Sequence, residues 1–185
     1  FSMKKVTVLL ADGFEEIEAL TVVDLLRRAK VYVDTVSITD DYTVRGAHGI
    51  PVQTEDLITE IDFKESDMIV LPGGMPGTTN LKEDENVRKA VQEAYDDGRY
   101  VAAICAAPTI LADMGLLKGK RATCYPDMES EIEDAYLTGA PVATDENIIT
   151  SQGVGTAIDF ALKLIEVLIS EEKAVEIADS IVYQR

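Results

Sequence analysis

Short apolar runs rich in β-branched residues alternate along this chain with segments of helical periodicity. The runs predict strands at Val6–Ala11, Val31–Ile38, Asp67–Leu71, Val101–Ile104 and Ile148–Ser151. Apolar spacing of three and four residues predicts helices at 15–29, 84–97, 106–114, 127–136, 156–169 and 171–182. Strands buried on both faces that alternate with helices indicate an α/β fold, in which helices cover both faces of a mostly parallel sheet.

Outside this alternation, residues 42–54 hold Gly46, Gly49 and Pro51 among Thr and Val, which predicts a hairpin or an irregular excursion. Ligands of a parallel sheet bind beyond the carboxyl ends of its strands. We therefore expect functional residues in four segments that directly follow predicted strands. These segments are Gly13–Glu18, Pro72–Gly77, Cys105–Pro108 and Ser151–Gly155.

Cys105 stands between an apolar strand and a predicted helix, at a strand-to-helix elbow that exposes a side chain at the edge of the sheet. Unpaired N–H groups at the start of a helix favour a thiolate, so a depressed thiol pKa is expected there. Cysteine is also among the most buried residue types and often packs as a small apolar group. The pattern alone leaves both interpretations open.

Two further segments carry candidate chemistry. Pro72-Gly73-Gly74 directly follows a strand. Either the glycine amides of this segment form an oxyanion hole, or the segment is simply a tight turn. Glu18 lies early in the first helix, where a buried carboxyl would have a raised pKa and carry a proton. Glu15 and Glu16 suit the helix dipole on a solvated face, whereas periodicity does not assign Glu18 to either face.

Composition narrows the class of protein. The 185 residues are 46 % hydrophobic and 28 % charged, which is ordinary for one globular domain, assigned here to residues 3–185. Phe1 and Ser2 precede Met3 and are interpreted as a cloning remnant. A net charge of −17 argues against a nucleic-acid partner, and the absence of an 18-residue apolar run argues against a membrane partner.

The soft metal ligands are few. The chain has two cysteines, which predicts no disulfide framework and favours a reducing, cytoplasmic location. Its single histidine, His48, falls in the irregular 42–54 segment and is expected in a surface loop. Two cysteines and one histidine at no recognised spacing do not indicate a zinc site, so we expect no metal.

Four motifs, taken in order, resemble the DJ-1/ThiJ/PfpI superfamily, and within it the DJ-1 branch. They are Ala11–Glu18, Val70–Gly74, Ala102–Pro108 and Thr150–Thr156. The resemblance runs from Met3 to about Leu168. It implies a flavodoxin-like three-layer sandwich and a homodimer.

The resemblance also implies roles for individual residues. Cys105 matches the family's reactive thiol, and Glu18 matches the protonated glutamate that hydrogen-bonds the sulfur. Gly73, Gly74 and Ala106 supply the backbone amides around it. The implied activity is a cofactor-independent, glyoxalase III-like conversion of methylglyoxal to lactate, extending to deglycation. The alternative is a redox-responsive protective protein in which Cys105 is oxidised to a sulfinate.

The chain departs from the family pattern at three positions. Protease-like members carry a histidine directly after the cysteine, where this chain has Ala106, so peptidase activity is not expected. Tyr125 stands before Pro126 where the DJ-1 branch often has a histidine, and His48 falls near the position of an arginine. The candidates for the rest of the pocket are Glu15, His48, Tyr125, Pro126 and Gly153. The expected partner is a small carbonyl substrate, which the sequence does not specify further.

Overall fold

This computed structural model describes residues 3–184, so the expected remnant at residues 1 and 2 lies outside the described residues. The strands are β1 (Lys5–Leu10), β2 (Tyr32–Ser37), β3 (Thr43–Arg45), β4 (Pro51–Gln53), β5 (Asp56–Leu57), β6 (Met68–Leu71), β7 (Tyr100–Ile104), β8 (Arg121–Ala122), β9 (Tyr136–Leu137), β10 (Val142–Asp145) and β11 (Ile148–Ser151). The α-helices are α1 (Glu16–Arg28), α2 (Gly77–Glu83), α3 (Glu85–Asp96), α4 (Pro108–Asp113), α5 (Ala157–Leu168) and α6 (Glu171–Ser180).

Seven of these strands form one central sheet in the order β10-β11-β7-β6-β1-β2-β5. Every pairing in it is parallel except that of β10 with β11. The chain therefore leaves β1 towards β2, then returns to the other side of β1 with β6, β7 and β11. The mostly parallel sheet is confirmed, and the 42–54 segment is the antiparallel hairpin β3–β4.

The sheet separates two apolar layers because successive strand residues point to opposite faces. Val8 and Leu10 of β1 pack in the layer that contains α1, α5 and α6. Leu9, between them, packs in the layer that contains α3 and α4. Helices thus cover both faces, and the α/β sandwich of three layers is confirmed.

Several elements differ from the sequence prediction. The acidic helix expected over 127–136 is wrong, because a 3-10 helix at Pro126–Ile132 leads instead to β9. Ile132 is the one buried residue of that 3-10 helix, so the segment lacks the apolar stripe that an α-helix would bury. The sequence prediction also missed β10 and α2, and in α2 the only large apolar residue that is buried is Leu81.

One face of α1 leaves large apolar side chains in solvent. Ile17, Leu20, Ile50 and Ile158 are between 37 and 52 % exposed and line one shallow depression, which we call the α1 face. Asp24 and Arg28, which pair with each other one helical turn apart, also line it. Among residues 3–184, every helix is too short or too polar to cross a lipid bilayer.

Candidate functional site

The carboxyl ends of four neighbouring strands meet at one edge of the sheet. The strands β1, β6, β7 and β11 are adjacent, so the four segments expected to carry function converge there. A cavity of about 440 Å³ opens at this point. It is lined by Glu15, Glu18, Gly74, Cys105, Tyr125, Pro126, Gln152, Gly153, Val154, Gly155 and Thr156.

Cys105 has a backbone conformation that L-residues rarely adopt, with φ at +65°. Such a residue costs on the order of 1–3 kcal/mol and persists only where its surroundings hold it. Its amide donates to the carbonyl oxygen of Ser151 at 3.0 Å, and its carbonyl accepts from the amide of Tyr125 at 2.8 Å. These bonds fix the elbow between β7 and α4, so the thiol enters the cavity.

The thiol of Cys105 is half-buried and protonated in this environment. Burial raises its pKa to about 12, and the negative charges of Glu18 and Glu15 act in the same direction. The amide of Ala106 donates to the sulfur and lowers the pKa, but its effect is smaller. The expected depression of the thiol pKa is therefore wrong, because burial and two carboxylates outweigh the nearby N–H group.

The carboxyl of Glu18 is fully buried beside this thiol. Its Oε1 accepts from the amide of Gly73 at 2.9 Å, while Oε2 has no nitrogen or oxygen partner among the described residues. Burial raises the pKa of Glu18 to about 7, and the charge of Glu15 adds to that effect. Hydrogen bonds from Cys105 and Gly73 oppose it. Glu18 is thus able to take up or release a proton near neutral pH.

Gly73 occupies a position where no side chain fits. A Cβ there would lie 2.7 Å from both the Cys105 Cβ and the Glu18 Oε1. Because its amide is committed to Glu18, Gly73 orients that carboxyl instead of facing an oxyanion. Gly74, with φ at +92°, lines the cavity itself. Of the amides expected around the sulfur, those of Gly74 and Ala106 remain candidates for an oxyanion.

The three early glutamates have three different environments. Glu15 caps α1, accepting from the amide of Ile17 at 2.8 Å, and lines the cavity. Glu16 is 4 % exposed, so the expected solvated face is wrong for this residue. It accepts from the amide of His48 at 2.8 Å and from His48 Nδ1 at 2.9 Å. His48 lies on the surface, as expected for its loop, but the expectation that it lines the pocket is wrong, because its ring turns to Glu16 outside the cavity.

The contacts of the His48 ring shift the pKa of this residue and of Glu16 in opposite directions. The hydrogen bond with Glu16 raises the pKa of His48, and the charge of Glu15 adds to that effect. Burial opposes ionisation of Glu16, but the hydrogen bonds from His48 and from the amide of Ile50 lower the pKa of this carboxyl overall. The loop of the hairpin is therefore tied to the start of α1 by the hydrogen bonds between His48 and Glu16.

Tyr125, Pro126 and Gly153 all line the cavity, as expected of pocket residues. A Cβ built on Gly153 would lie 3.8 Å from the Cys105 sulfur and 3.7 Å from the Tyr125 ring, so the three are close neighbours. Thr156 was missed, although it follows β11 one residue beyond the expected segment. Its hydroxyl bonds to Ser151 and holds the turn in place.

The second cysteine is separate from the cavity. Cys124 is 1 % exposed, and its thiol donates to the carbonyl of Tyr125 at 3.3 Å. Burial raises its pKa to about 11, with the charges of Glu129 and Glu131 acting in the same direction. Both cysteines are free thiols.

Comparison with known proteins matches this arrangement to one family. The family model of the DJ-1/PfpI family matches residues 4–167. "Protein DJ-1 homolog B" of Arabidopsis thaliana is 40 % identical over 98 % of this chain, which spans 42 % of that relative's length. "Glutathione-independent glyoxalase DJ-1" of Schizosaccharomyces pombe is 34 % identical, with 92 % of this chain and 94 % of that protein covered.

Solved structures agree with the fold over nearly the whole chain. A cysteine-to-alanine mutant of a DJ-1 superfamily protein from Salmonella typhimurium has a TM-score of 0.94 and 35 % identity, covering 99 % of this chain and all of that one. Oxidised DJ-1 of Toxoplasma gondii has a TM-score of 0.93 and 36 % identity, covering 98 % of this chain and all of that one. The resemblance drawn from the four motifs is confirmed: the chain belongs to the DJ-1 branch of the DJ-1/PfpI family.

Proposed function

We propose that residues 3–185 form a single DJ-1/PfpI-like domain that acts on small reactive carbonyls without a cofactor. Its main reaction is the conversion of methylglyoxal to lactate, and deglycation of glycated adducts is an extension of the same chemistry. The observation that carries this proposal is the contact of the Cys105 thiol with the buried carboxyl of Glu18, whose pKa is raised to about 7. A nucleophile beside a group that exchanges protons near neutral pH is what such chemistry requires. The printed name of the Schizosaccharomyces pombe relative supports the same substrate class.

The first step joins the sulfur to the aldehyde carbon of methylglyoxal. Because the thiol is protonated at rest, the ionised fraction of Glu18 accepts its proton as the new C–S bond forms. The aldehyde oxygen becomes an alkoxide that faces the amides of Gly74 and Ala106. Glu18 then returns the proton to that oxygen, which yields a neutral hemithioacetal.

The second step moves hydrogen within the bound substrate. Glu18 removes the proton from the former aldehyde carbon, which gives an enediol, and delivers it to the neighbouring carbon, while the hydroxyl proton passes from the first oxygen to the second. The product is a lactoyl thioester on Cys105, and water hydrolyses it to lactate and the free thiol. The overall reaction adds one water to methylglyoxal, with one carbon oxidised and its neighbour reduced, so no external electron carrier is needed.

Replacement of the two reacting groups tests this mechanism. Cys105→Ala is expected to abolish lactate formation from methylglyoxal in the absence of glutathione. Glu18→Gln is expected to lower kcat about 100-fold or more, the usual contribution of a positioned acid-base group. Cys124→Ala is the matched control, because it removes the buried thiol and should leave turnover unchanged. Full activity of Cys105→Ser would refute the proposal.

The protonation of Glu18 has a consequence for stability. Because its pKa is raised from 4.5 to about 7, the folded protein holds this proton more tightly than the unfolded chain. The contribution of Glu18 to the free energy of unfolding is therefore fully present below about pH 4.5 and is lost as pH rises to about 7. The loss is on the order of 3 kcal/mol for a shift of this size.

Urea unfolding between pH 4.5 and 8 measures this loss. The side chain of Glu18→Gln cannot ionise. The free energy of unfolding of this variant should therefore increase relative to that of the wild type as pH rises from 4.5 to 8. Glu93→Gln, an exposed change of the same type on α3, should follow the wild type throughout. Parallel curves for the wild type and Glu18→Gln would show that Glu18 is ionised at all these pH values.

We propose that the α1 face joins two copies of this chain in a homodimer. Its four exposed isoleucine and leucine side chains form a contiguous apolar patch, which is unusual on the surface of a monomer. Asp24 and Arg28 lie beside the patch and carry opposite charges. A twofold axis would therefore place Asp24 of one copy near Arg28 of the other. The family resemblance implies a homodimer but does not specify which face forms it.

Sedimentation velocity tests the assembly. The wild type should sediment as a particle of twice 20.2 kDa. Leu20→Glu should give monomers at micromolar concentration, because it places a charge in the centre of the patch. Val175→Glu introduces the same charge at an exposed apolar position on α6, outside the α1 face, and should remain dimeric. A monomeric wild type would exclude this assembly.

A second candidate function is oxidation of Cys105 to a sulfinate in a stress response. One observation favours it: Cys105 opens into the cavity whereas Cys124 is 1 % exposed. The raised thiol pKa works against it, because the thiolate is the species that peroxide attacks. Mass spectrometry after mild peroxide treatment should show two oxygens added to Cys105 and none to Cys124. Equal oxidation of both thiols would argue against a dedicated sensor.

The free thiols and the net charge bear on the cellular location of the protein and on its partners. We propose that the protein works in the cytoplasm, which the two free thiols support. Its net charge of −17 supports the absence of a nucleic-acid partner.

A further inference from the structure

The cavity around Cys105 carries acidic side chains and no basic ones. Of the eleven described residues that line it, Glu15 and Glu18 are the carboxylates, and none is a lysine, an arginine or a histidine. We propose that Glu15 is a specificity-determining residue of this cavity, which admits neutral 2-oxoaldehydes to Cys105 and excludes anionic ones. The inference rests on the function proposed above for the class of reaction, and it adds the charge of the substrate.

The carboxylate of Glu15 is held in place at the cavity. Its Oε2 accepts from the amide of Ile17 at 2.8 Å, and its side chain is only 12 % exposed. Solvent and salt therefore screen its charge less than they screen the charge of a fully exposed glutamate. The cavity shares no lining residue with the α1 face, so the homodimer proposed above buries other residues.

The charge of Glu15 acts on the reacting groups. It raises the pKa of both the Cys105 thiol and the Glu18 carboxyl, so its field reaches the place where the substrate carbonyl must lie. A negatively charged substituent on the substrate meets the same field. Like charges that face each other repel, and a cleft lined by one sign of charge concentrates the field of that sign.

Nearby positive charge does not cancel this effect. Within residues 3–184, His48 is the only basic side chain within 4.0 Å of Glu15, and its ring is bonded to Glu16 at 2.9 Å. One imidazolium beside two carboxylates leaves a net negative charge. Across the cavity, the amide of Gly153 donates to Thr156 Oγ1 at 3.1 Å, so this amide is not free to bind an anion.

Two alkylating reagents of different charge test the selection without relying on catalysis. Iodoacetamide and iodoacetate are similar in size and both alkylate thiols, but only iodoacetate is charged. In a Cys124→Ala background, Cys105 is the only thiol, and mass spectrometry follows its alkylation. The rate with iodoacetamide divided by the rate with iodoacetate should exceed the same ratio for N-acetylcysteine by about tenfold or more at equal ionic strength.

Two variants assign this preference to one residue. Glu15→Gln keeps an oxygen for the amide of Ile17 and removes the charge, so the ratio should fall about threefold or more. A change in the thiolate fraction alters both rates equally and leaves the ratio unchanged. Glu93→Gln removes the same charge from an exposed position on α3 and should keep the wild-type ratio. A wild-type ratio equal to that of N-acetylcysteine, or one that Glu15→Gln leaves unchanged, would overturn the proposal.

A matched pair of substrates extends the test to turnover. 4,5-Dioxopentanoate is an anionic 2-oxoaldehyde, and its methyl ester is the neutral counterpart. The wild type should prefer the ester in kcat/KM by about tenfold or more, and Glu15→Gln should reduce this preference about threefold or more. Equal kcat/KM for acid and ester would overturn the charge selection. No turnover of either compound or of methylglyoxal, with the expected alkylation ratios, would refute the proposed function and leave the charge selection standing.

Discussion

Two backbone hydrogen bonds hold Cys105 in a left-handed conformation, and the site depends on them. One comes from the end of β11 and the other from the residue after Cys124, so elements distant in sequence fix a single residue. A strained backbone of this kind persists only when its surroundings determine it from several sides. The strain turns the chain sharply at the end of β7, and the thiol enters the cavity instead of packing against α4.

Burial of a carboxyl beside this thiol sets the protonation behaviour of the site. In water, Glu18 would lose its proton at acidic pH and the thiol at basic pH. Burial moves both pKa values upward, which brings that of Glu18 to about 7. The amide of Gly73 directs one carboxyl oxygen, and the absence of a side chain on Gly73 makes the close approach sterically feasible. A buried carboxyl with a pKa near 7 destabilises the fold at neutral pH, and it exchanges its proton in the same pH range.

The start of α1 shows how one short acidic run serves several purposes. Successive helical residues are rotated by about 100°, so Glu16 and Glu18 point in different directions, while Glu15 precedes the helix as its extended N-cap. Glu15 caps the helix and borders the cavity, Glu16 holds the hairpin loop, and Glu18 turns inward to Cys105. Glu15 also joins the two regions electrostatically, because its charge raises the pKa of Glu18, Cys105 and His48.

The sequence by itself determined the alternation of strands and helices, the parallel sheet and the segments at its carboxyl edge. Such information is local, because hydrophobic periodicity and glycine-rich turns are set by neighbouring residues. It also pointed to Cys105 and Glu18, through their place after strands and through the family motifs. It missed α2 and β10 and assigned an α-helix to 127–136, where short elements carry little periodic signal.

Only the tertiary structure decided the protonation states and the contacts of the irregular loop. The sequence predicted a depressed thiol pKa, but burial and the charges of two carboxylates act through space and reverse the sign. No local pattern indicated the contact between His48 and Glu16, because it spans 32 residues of sequence. Electrostatic effects depend on distance and burial, and neither quantity is set until the chain has folded.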